Sequence, residues 1–386
     1  MAVKAAQVSD VPHLDQVPDD AELALCSSPA FTGSHGGVCE LGRKKLAVIG
    51  HRGCGMNMLQ SSDRRMKAIK ENSILSFNAA GKFPLDLIEF DVQVTKDDCP
   101  VIYHDIFVLT EEKGMIIEKR VTDLISTEFL SYGTQRDPKT VGKPLFRKTK
   151  DGRIFEWKVE KDDAFCTLQE VFQKVDHSLG FNIELKFDDN TIYREEDVVH
   201  ILQVVLQVVF QYAKDRHIIF SSFQPDAARL IRKLQATYPV FFLTNGGLQI
   251  YADNRRNSLD EAMKLCLENS LQGIVSEVKA ILRNPGAIVK IRKSNLSLIT
   301  YGQLNNVPEV VLIQNVMGVE GVIVDLVQEI TEAVSDFLRP VNEQGEVEKL
   351  LQETGKLKGK AIPHLPEQEL SFLLEFMPIL FQSSAQ

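Results

Sequence analysis

The sequence lacks the features that would make a disulfide framework, a membrane anchor or a nucleic-acid surface. Its six cysteines (Cys26, Cys39, Cys54, Cys99, Cys166 and Cys266) are scattered over 386 residues without a C-x-x-C pair, so they read as reduced thiols. No stretch holds the ~18 uninterrupted apolar residues of a spanning helix. No apolar segment of a secretory signal opens the chain. Positive charge is in deficit: 44 Lys and Arg against 53 Asp and Glu leave a net charge of −9. That excludes a general nucleic-acid binder, whose phosphate contacts need a basic surface. It leaves room for a small phosphate held in a local basic pocket. A transit peptide is basic and poor in acids, whereas the N-terminal segment carries Asp10, Asp15, Asp19, Asp20 and Glu22 against Lys4. The expected location is the cytoplasm, with a plastid as the alternative.

What remains is a globular composition, 44% apolar and 25% charged, in a chain long enough for one large domain or two ordinary ones. Residues 1–43, rich in Ser, Gly, Pro and Asp, read as a mobile extension. From residue 44 onward short β-branched runs recur at 46–51, 85–94, 99–103, 181–186, 217–222, 240–244, 273–276, 296–301 and 321–325. Helical patterns lie between them at 72–82, 192–214, 225–237, 258–269 and 308–317. Ser258 with Glu261 three residues on has the form of a capping box. With 99–103 taken as a hairpin extension of the second strand, eight core strands alternate with helices. Near-continuous apolar strands in that rhythm imply a parallel sheet, and the expected fold is an α/β (β/α)8 TIM barrel over 44–340. A doubly wound sheet is the runner-up. Residues 105–165 break the rhythm, with Lys113-Gly114, Asp151-Gly152 and the sole tryptophan, Trp157, and are expected to form an insert over the barrel mouth. Residues 341–386 form a C-terminal extension. Its apolar stretch 370–381 reads as a helix docked on the barrel in preference to a membrane or dimer contact.

Several strand runs end in ionisable groups. The first delivers His51-Arg52-Gly53, the second Glu89-Phe90-Asp91, the 99–103 run His104-Asp105, and the next core run Glu184-Leu185-Lys186. In such a barrel the C-terminal strand ends form the active face. Side chains alternate along a strand, so Glu89 and Asp91 share one face, as do Glu184 and Lys186. If that face is the inner one, three carboxylates and an ammonium converge. Crowded carboxylates repel each other, and a divalent cation resolves the conflict; all-oxygen ligation selects Mg2+, Ca2+ or Mn2+. His51 and His104 are the natural general acid and base, and Arg52 offers a fork for phosphate. Gly50, Gly53 and Gly55 let the backbone approach a ligand. Cys54 lacks the layout of a thiol nucleophile. His13, His35, His177, His200, His217 and His364 have no motif context and read as structural.

The segments His51-Arg52-Gly53, Glu71-Asn72-Ser73, Glu89-Phe90-Asp91 and Pro100 through Asp105 together resemble the glycerophosphodiester phosphodiesterases. Ile183 through Lys186, Ser222-Phe223 and Gly321 through Asp325 follow in the same order. The chain is similar to the plant-type soluble branch over about residues 46–327. The resemblance implies a TIM barrel with an inserted subdomain. It implies hydrolysis of glycerophosphocholine, glycerophosphoethanolamine and relatives to sn-glycerol 3-phosphate and an alcohol. It implies Glu89, Asp91 and Glu184 as metal ligands, with Mg2+ first among the candidates. His51 and His104 would be acid and base, Arg52 and Lys186 would hold the phosphate, and Glu71 would lie behind them or face the glycerol. The gap from Gly53 to Glu71 is long for the family. Thr300 through Asn305 stand where many members carry an aromatic-Thr-Val-Asn stretch. A lysophospholipase D, with the apolar stretch 370–381 and the insert residues Phe129, Leu130 and Phe146 against an acyl chain, and a non-catalytic phosphodiester-binding module are the rival expectations. The expected partner is a small-molecule substrate, with no nucleic acid and no transmembrane segment, and homo-oligomerisation left open.

Overall fold

The computed structural model describes residues 46–149 and 151–337. The expectations for 1–43 and for 341–386, the stretch 370–381 included, lie outside these residues. Strand β1 (Ala47–Gly50) leads through helix α1 (Ile74–Ala80) to β2 (Leu87–Val94), and β3 (Pro100–Ile102) folds back antiparallel on β2. Next come β4 (Phe107–Glu112), β5 (Met115–Arg120), a single turn α2 (Ser126–Phe129), β6 (Phe146–Lys148) and β7 (Ile154–Glu156). Helix α3 (Leu168–Lys174) returns the chain to β8 (Gly180–Leu185) and α4 (Glu195–Tyr212). Then follow β9 (Ile218–Ser222), α5 (Pro225–Leu234), β10 (Val240–Thr244), α6 (Leu259–Glu268), β11 (Gly273–Glu277), α7 (Val278–Arg283) and α8 (Gly286–Lys293). The described chain closes with β12 (Ser297–Tyr301), α9 (Pro308–Met317), β13 (Gly321–Val324) and α10 (Val327–Phe337).

Eight strands pair in parallel in the order β1-β13-β12-β11-β10-β9-β8-β2, and β2 pairs back to β1 through Ile49 with Leu87 and Gly50 with Ile88. That last pairing closes a barrel and rules out the doubly wound sheet, which leaves two free edges. The alternation expected of β2 is seen in its packing. Phe90 points into the layer between barrel and helices, against Phe77 of α1 at 5.3 Å and Phe181 of β8 at 5.1 Å, while Glu89 and Asp91 face the lumen. Helix α4 carries Glu195, Glu196 and Asp197 in its first turn, where the helix dipole favours anions. It buries Val198, Leu202, Val205, Leu206 and Val209, a stripe at helical spacing. Ser258 caps α6 by accepting from the Glu261 N–H at 3.0 Å.

Helices α3, α7, α8 and α10 have no counterpart in the helix candidates read from the sequence. For α3 the signal was present: Thr167 and Glu170 form a reciprocal capping box, but only seven residues follow, too few for a clear period. Strands β5-β4-β6-β7 form a second, antiparallel sheet within the stretch expected to be an insert. Lys113 (φ +52°) and Gly114 (φ +79°) are the two loop residues of its β4–β5 hairpin, the backbone of a type I′ turn. A separate core lies beneath it, with Tyr103, Phe129, Trp157 and Phe165 among its members. Phe129 is fully buried and stacks on Phe165 at 4.9 Å. It is a core residue and faces no acyl chain, contrary to the lysolipid alternative. No helix among the described residues is long and apolar enough to cross a membrane.

Candidate active site

The parallel register of β2 and β8 sets Asp91 beside Glu184 and Glu89 beside Asn182. Oxygens of Glu89, Asp91 and Glu184 all come within 4.8 Å of one another. Their residues are only 3%, 1% and 9% exposed, so water cannot dissipate the repulsion. Burial, with Asp91 next to it, pushes the Glu89 carboxyl up to about 8. Asp91 goes the other way: burial opposes its ionisation, but His104, Lys186 and Arg52 together hold it well below the usual range. Glu89 Oε1 and Asp91 Oδ1 have no hydrogen-bond partner. Lys186 Nζ lies 2.7 Å from Glu184 Oε1 and 3.5 Å from Asp91 Oδ1 and brings a positive charge to both. Three buried carboxylates, two of them with an oxygen lacking a hydrogen-bond partner, are a donor set that fits a hard divalent cation.

His51 follows β1. Its Nδ1 lies 2.7 Å from Asp325 Oδ1, which turns Nε2 toward Glu89 Oε2 at 4.0 Å. Asp325, just past β13, is itself fixed: Asn306 Nδ2 donates to its Oδ2 at 3.0 Å, and the Met56 N–H donates to its Oδ1 at 2.9 Å. Burial alone would lower the His51 pKa, but the Asp325 carboxylate raises it on balance. Burial would likewise raise Asp325, yet His51 and the hydrogen bonds hold it at about 2. His104 is anchored in a parallel way, with Nδ1 2.7 Å from Asp105 Oδ1. Burial, Arg52 and Lys186 lower its pKa, so the two imidazoles are pushed in opposite directions.

Arg52 connects these parts. Its N–H donates to Glu89 Oε2 at 2.9 Å, Nη1 donates to Glu71 Oε1 at 2.7 Å, and Nε lies 3.4 Å from Asp91 Oδ2. The chain turns sharply here. Arg52 has φ +50° and Gly53 φ +92°; a Cβ on Gly53 would stand 2.4 Å from Ser76 Oγ, so only glycine fits. Asn72, also at positive φ, donates to Asp91 Oδ2 at 2.8 Å. Left-handed backbone at two non-glycine residues stores strain, and both residues touch the acidic cluster. The long Gly53–Glu71 interval folds back on itself, with the Glu71 N–H donating to Asn57 Oδ1 at 3.1 Å and the Asn57 N–H donating to Glu71 Oε2. Both Glu71 oxygens are therefore engaged, Oε1 by Arg52 Nη1 and Oε2 by the Asn57 N–H.

Every site residue expected from the sequence is thus brought to one end of the barrel. Three contributors were missed. Asp325 ends an apolar run as the other site residues do, and that position was its signal. Asn306 and Arg147 had none. Tyr301, the last residue of β12, stands edge-on to Phe223 at 5.9 Å with its hydroxyl on Asn245. Burial pushes the Cys54 thiol up to about 11, which removes it as a nucleophile. Outside the site, His177 lies 3.3 Å from Asp215 and His200 lies 2.8 Å from Asp98.

The chain is 55% identical to the chloroplastic glycerophosphodiester phosphodiesterase GDPD1 of Arabidopsis thaliana, over 99% of this chain and 100% of that one. It is 59% identical to glycerophosphodiester phosphodiesterase GDPD3 of the same plant, over 93% and 98%. The fold matches the crystal structure of a glycerophosphodiester phosphodiesterase from Parabacteroides distasonis with a TM-score of 0.53, at 19% identity, covering 77% of this chain and 100% of that one. A sequence model described as the glycerophosphoryl diester phosphodiesterase family matches residues 51–329, and the chain belongs to that family.

Proposed function

We propose that this protein hydrolyses glycerophosphodiesters, glycerophosphocholine and glycerophosphoethanolamine among them, to sn-glycerol 3-phosphate and the free alcohol. The observation that carries this reading is the buried Glu89–Asp91–Glu184 cluster, with His51 and His104 anchored before and after its Glu89–Asp91 pair in the chain and Arg52 in contact with both of those carboxylates. The names of the Arabidopsis relatives support it. Glu89, Asp91 and Glu184 would hold a divalent cation, Mg2+ first and Ca2+ or Mn2+ as alternatives. When bound, the ion supplies positive charge for the phosphate and orientation for the glycerol hydroxyls.

The chain's own groups supply the remainder. Arg52 and Lys186 present cationic donors to the phosphate oxygens. One imidazole takes the proton of the glycerol 2-hydroxyl as its oxygen attacks phosphorus, and the other gives a proton to the departing alcohol. Water then opens the cyclic phosphodiester with the two roles exchanged. Asp325 and Asp105 hold each ring by Nδ1, which leaves Nε2 for the substrate.

The test is release of glycerol 3-phosphate from glycerophosphocholine, with lysophosphatidylcholine as the competing substrate. Each of His51→Ala and His104→Ala should lose ~10²–10⁴-fold in rate. Intact turnover in both variants sinks the assignment, and preference for the lysolipid replaces it with the lysophospholipase D reading. Trapping of a cyclic phosphate during turnover is expected; its absence at every time point replaces the two-step route with direct attack by water. The chloroplastic name of one relative favours the plastid over the cytosol as the place of action. A fluorescent fusion of the full chain in leaf cells reads that choice.

A further inference from the structure

We propose that Arg147, carried on β6 of the second sheet, is a positioning residue for this reaction. Its one guanidinium holds His104 and Arg52 in mutual register through a carboxylate on each side. The proposal rests on the hydrolase reading above.

The geometry is that of a two-sided clamp. Arg147 Nε donates to Asp105 Oδ2 at 2.9 Å and Nη2 donates to Asp105 Oδ1 at 3.1 Å. Nη1 donates to Glu71 Oε2 at 2.9 Å and to the Asn57 carbonyl at 3.3 Å. Asp105 Oδ1 meets His104 Nδ1, and Glu71 Oε1 receives Arg52 Nη1. An unbroken path therefore runs from His104 through Asp105, Arg147 and Glu71 to Arg52. The plane of the fork is set by Trp157, whose ring centre lies 4.3 Å from the guanidinium carbon, an attractive cation–π contact. Trp157 Nε1 in turn donates to Asn57 Oδ1 at 3.0 Å. The Arg147 side chain is 11% exposed and that of Glu71 1%, so Glu71 has little water to replace the guanidinium, while Asp105, at 29%, keeps some. Removing one member of such a buried set leaves charge uncompensated. Lysine offers a point charge in place of a planar fork and cannot grip two carboxylates in this way. The second sheet is thereby part of the catalytic apparatus: without β6, the supports of His104 and Arg52 are no longer linked.

The test uses the full-length protein and Arg147→Lys, with kcat, KM, thermal midpoint and the emission of Trp157, the sole tryptophan. The expected result is a near wild-type melt, a kcat lowered about 10–100-fold and a smaller change in KM. In a His104→Ala background the same substitution should cost less than about threefold, because its main target is gone. If Arg147→Lys unfolds, the isosteric pair Asp105→Asn and Glu71→Gln takes its place. Their double variant should lose little more than the worse single one, since one guanidinium couples them. Overturning results are a wild-type kcat in folded Arg147→Lys, a full independent loss in the His104→Ala background, or additive losses for the isosteric pair. A wild-type protein that cleaves no glycerophosphodiester defeats the hydrolase reading and this proposal together. An active wild type with an indifferent Arg147→Lys defeats this proposal alone.

Discussion

His51 and His104 have the same local chemistry and different foundations. Each ring is held by a carboxylate 2.7 Å from Nδ1. His51 draws its support from the barrel itself, with Asp325 at the end of β13 pinned by Asn306 and the Met56 N–H. His104 draws its support from outside the barrel, with Asp105 gripped by Arg147 of the second sheet. The two sheets also have separate apolar cores, one centred on Phe77, Phe90 and Phe181 and the other on Tyr103, Phe129 and Trp157. The difference teaches that half of the site is built by strand closure and half by the docking of a second sheet.

The largest effect should come from the cluster that both halves share. Asp91→Asn removes a carboxylate that Arg52, Asn72 and Lys186 all address, and should cost several kcal/mol of barrier, on the order of 10³-fold or more in rate. Chelation should abolish turnover, and Mg2+, Ca2+ or Mn2+ should restore it. Turnover that survives exhaustive chelation would separate the acidic cluster from any metal role.

Next in size, and the sharpest test of the two-core contrast, is the pair Phe90→Ala and Phe129→Ala. Both side chains are fully buried, so each truncation should cost about 3–5 kcal/mol. Phe90→Ala should lower the global melt. Phe129→Ala should raise amide exchange chiefly over residues 101–165 and leave the barrel strands protected. Equal spread of exchange in both variants would mean that the two cores unfold as one.

Smaller again is Asp325→Asn, which keeps the shape around His51 and removes its charged partner. A rate loss of about 10–100-fold is expected, with the Trp157 environment unchanged in fluorescence, because the second sheet plays no part in holding Asp325. At the bottom of the scale, His200→Ala breaks only the exposed pair with Asp98. It should shift stability by less than about 1 kcal/mol in denaturant unfolding and leave kcat untouched. A large loss there would show a coupling that neither half of the site predicts.

The barrel half of the site was the legible half. His51 stands just past β1, Glu184 near the end of β8, and Glu89 and Asp91 within β2 after an apolar start, and the period of two tells which neighbours share a face. The support of His104 was illegible because Arg147 lies 42 residues from Asp105 and 76 from Glu71. Its strand, β6, is three residues long and only partly buried, which leaves no hydrophobic pattern to read. The same shortness hid α3, despite its Thr167–Glu170 cap. Glu71 was visible as a residue while its direction was not, because direction depended on the Asn57 contact that folds the long loop back.

The amino-acid pattern alone determined the alternation of strands and helices, the polar ends of the strands and the type of chemistry gathered there, because these follow from local periodicity and side-chain identity. Tertiary structure alone decided that β2 pairs with β1 to close the barrel, that Asp325 meets one imidazole while Arg147 grips the carboxylate that meets the other, and that Glu71 turns to Arg52. Those outcomes depend on groups distant in the chain meeting in a buried, low-dielectric space, where each charge must find its partner and no local pattern records which one.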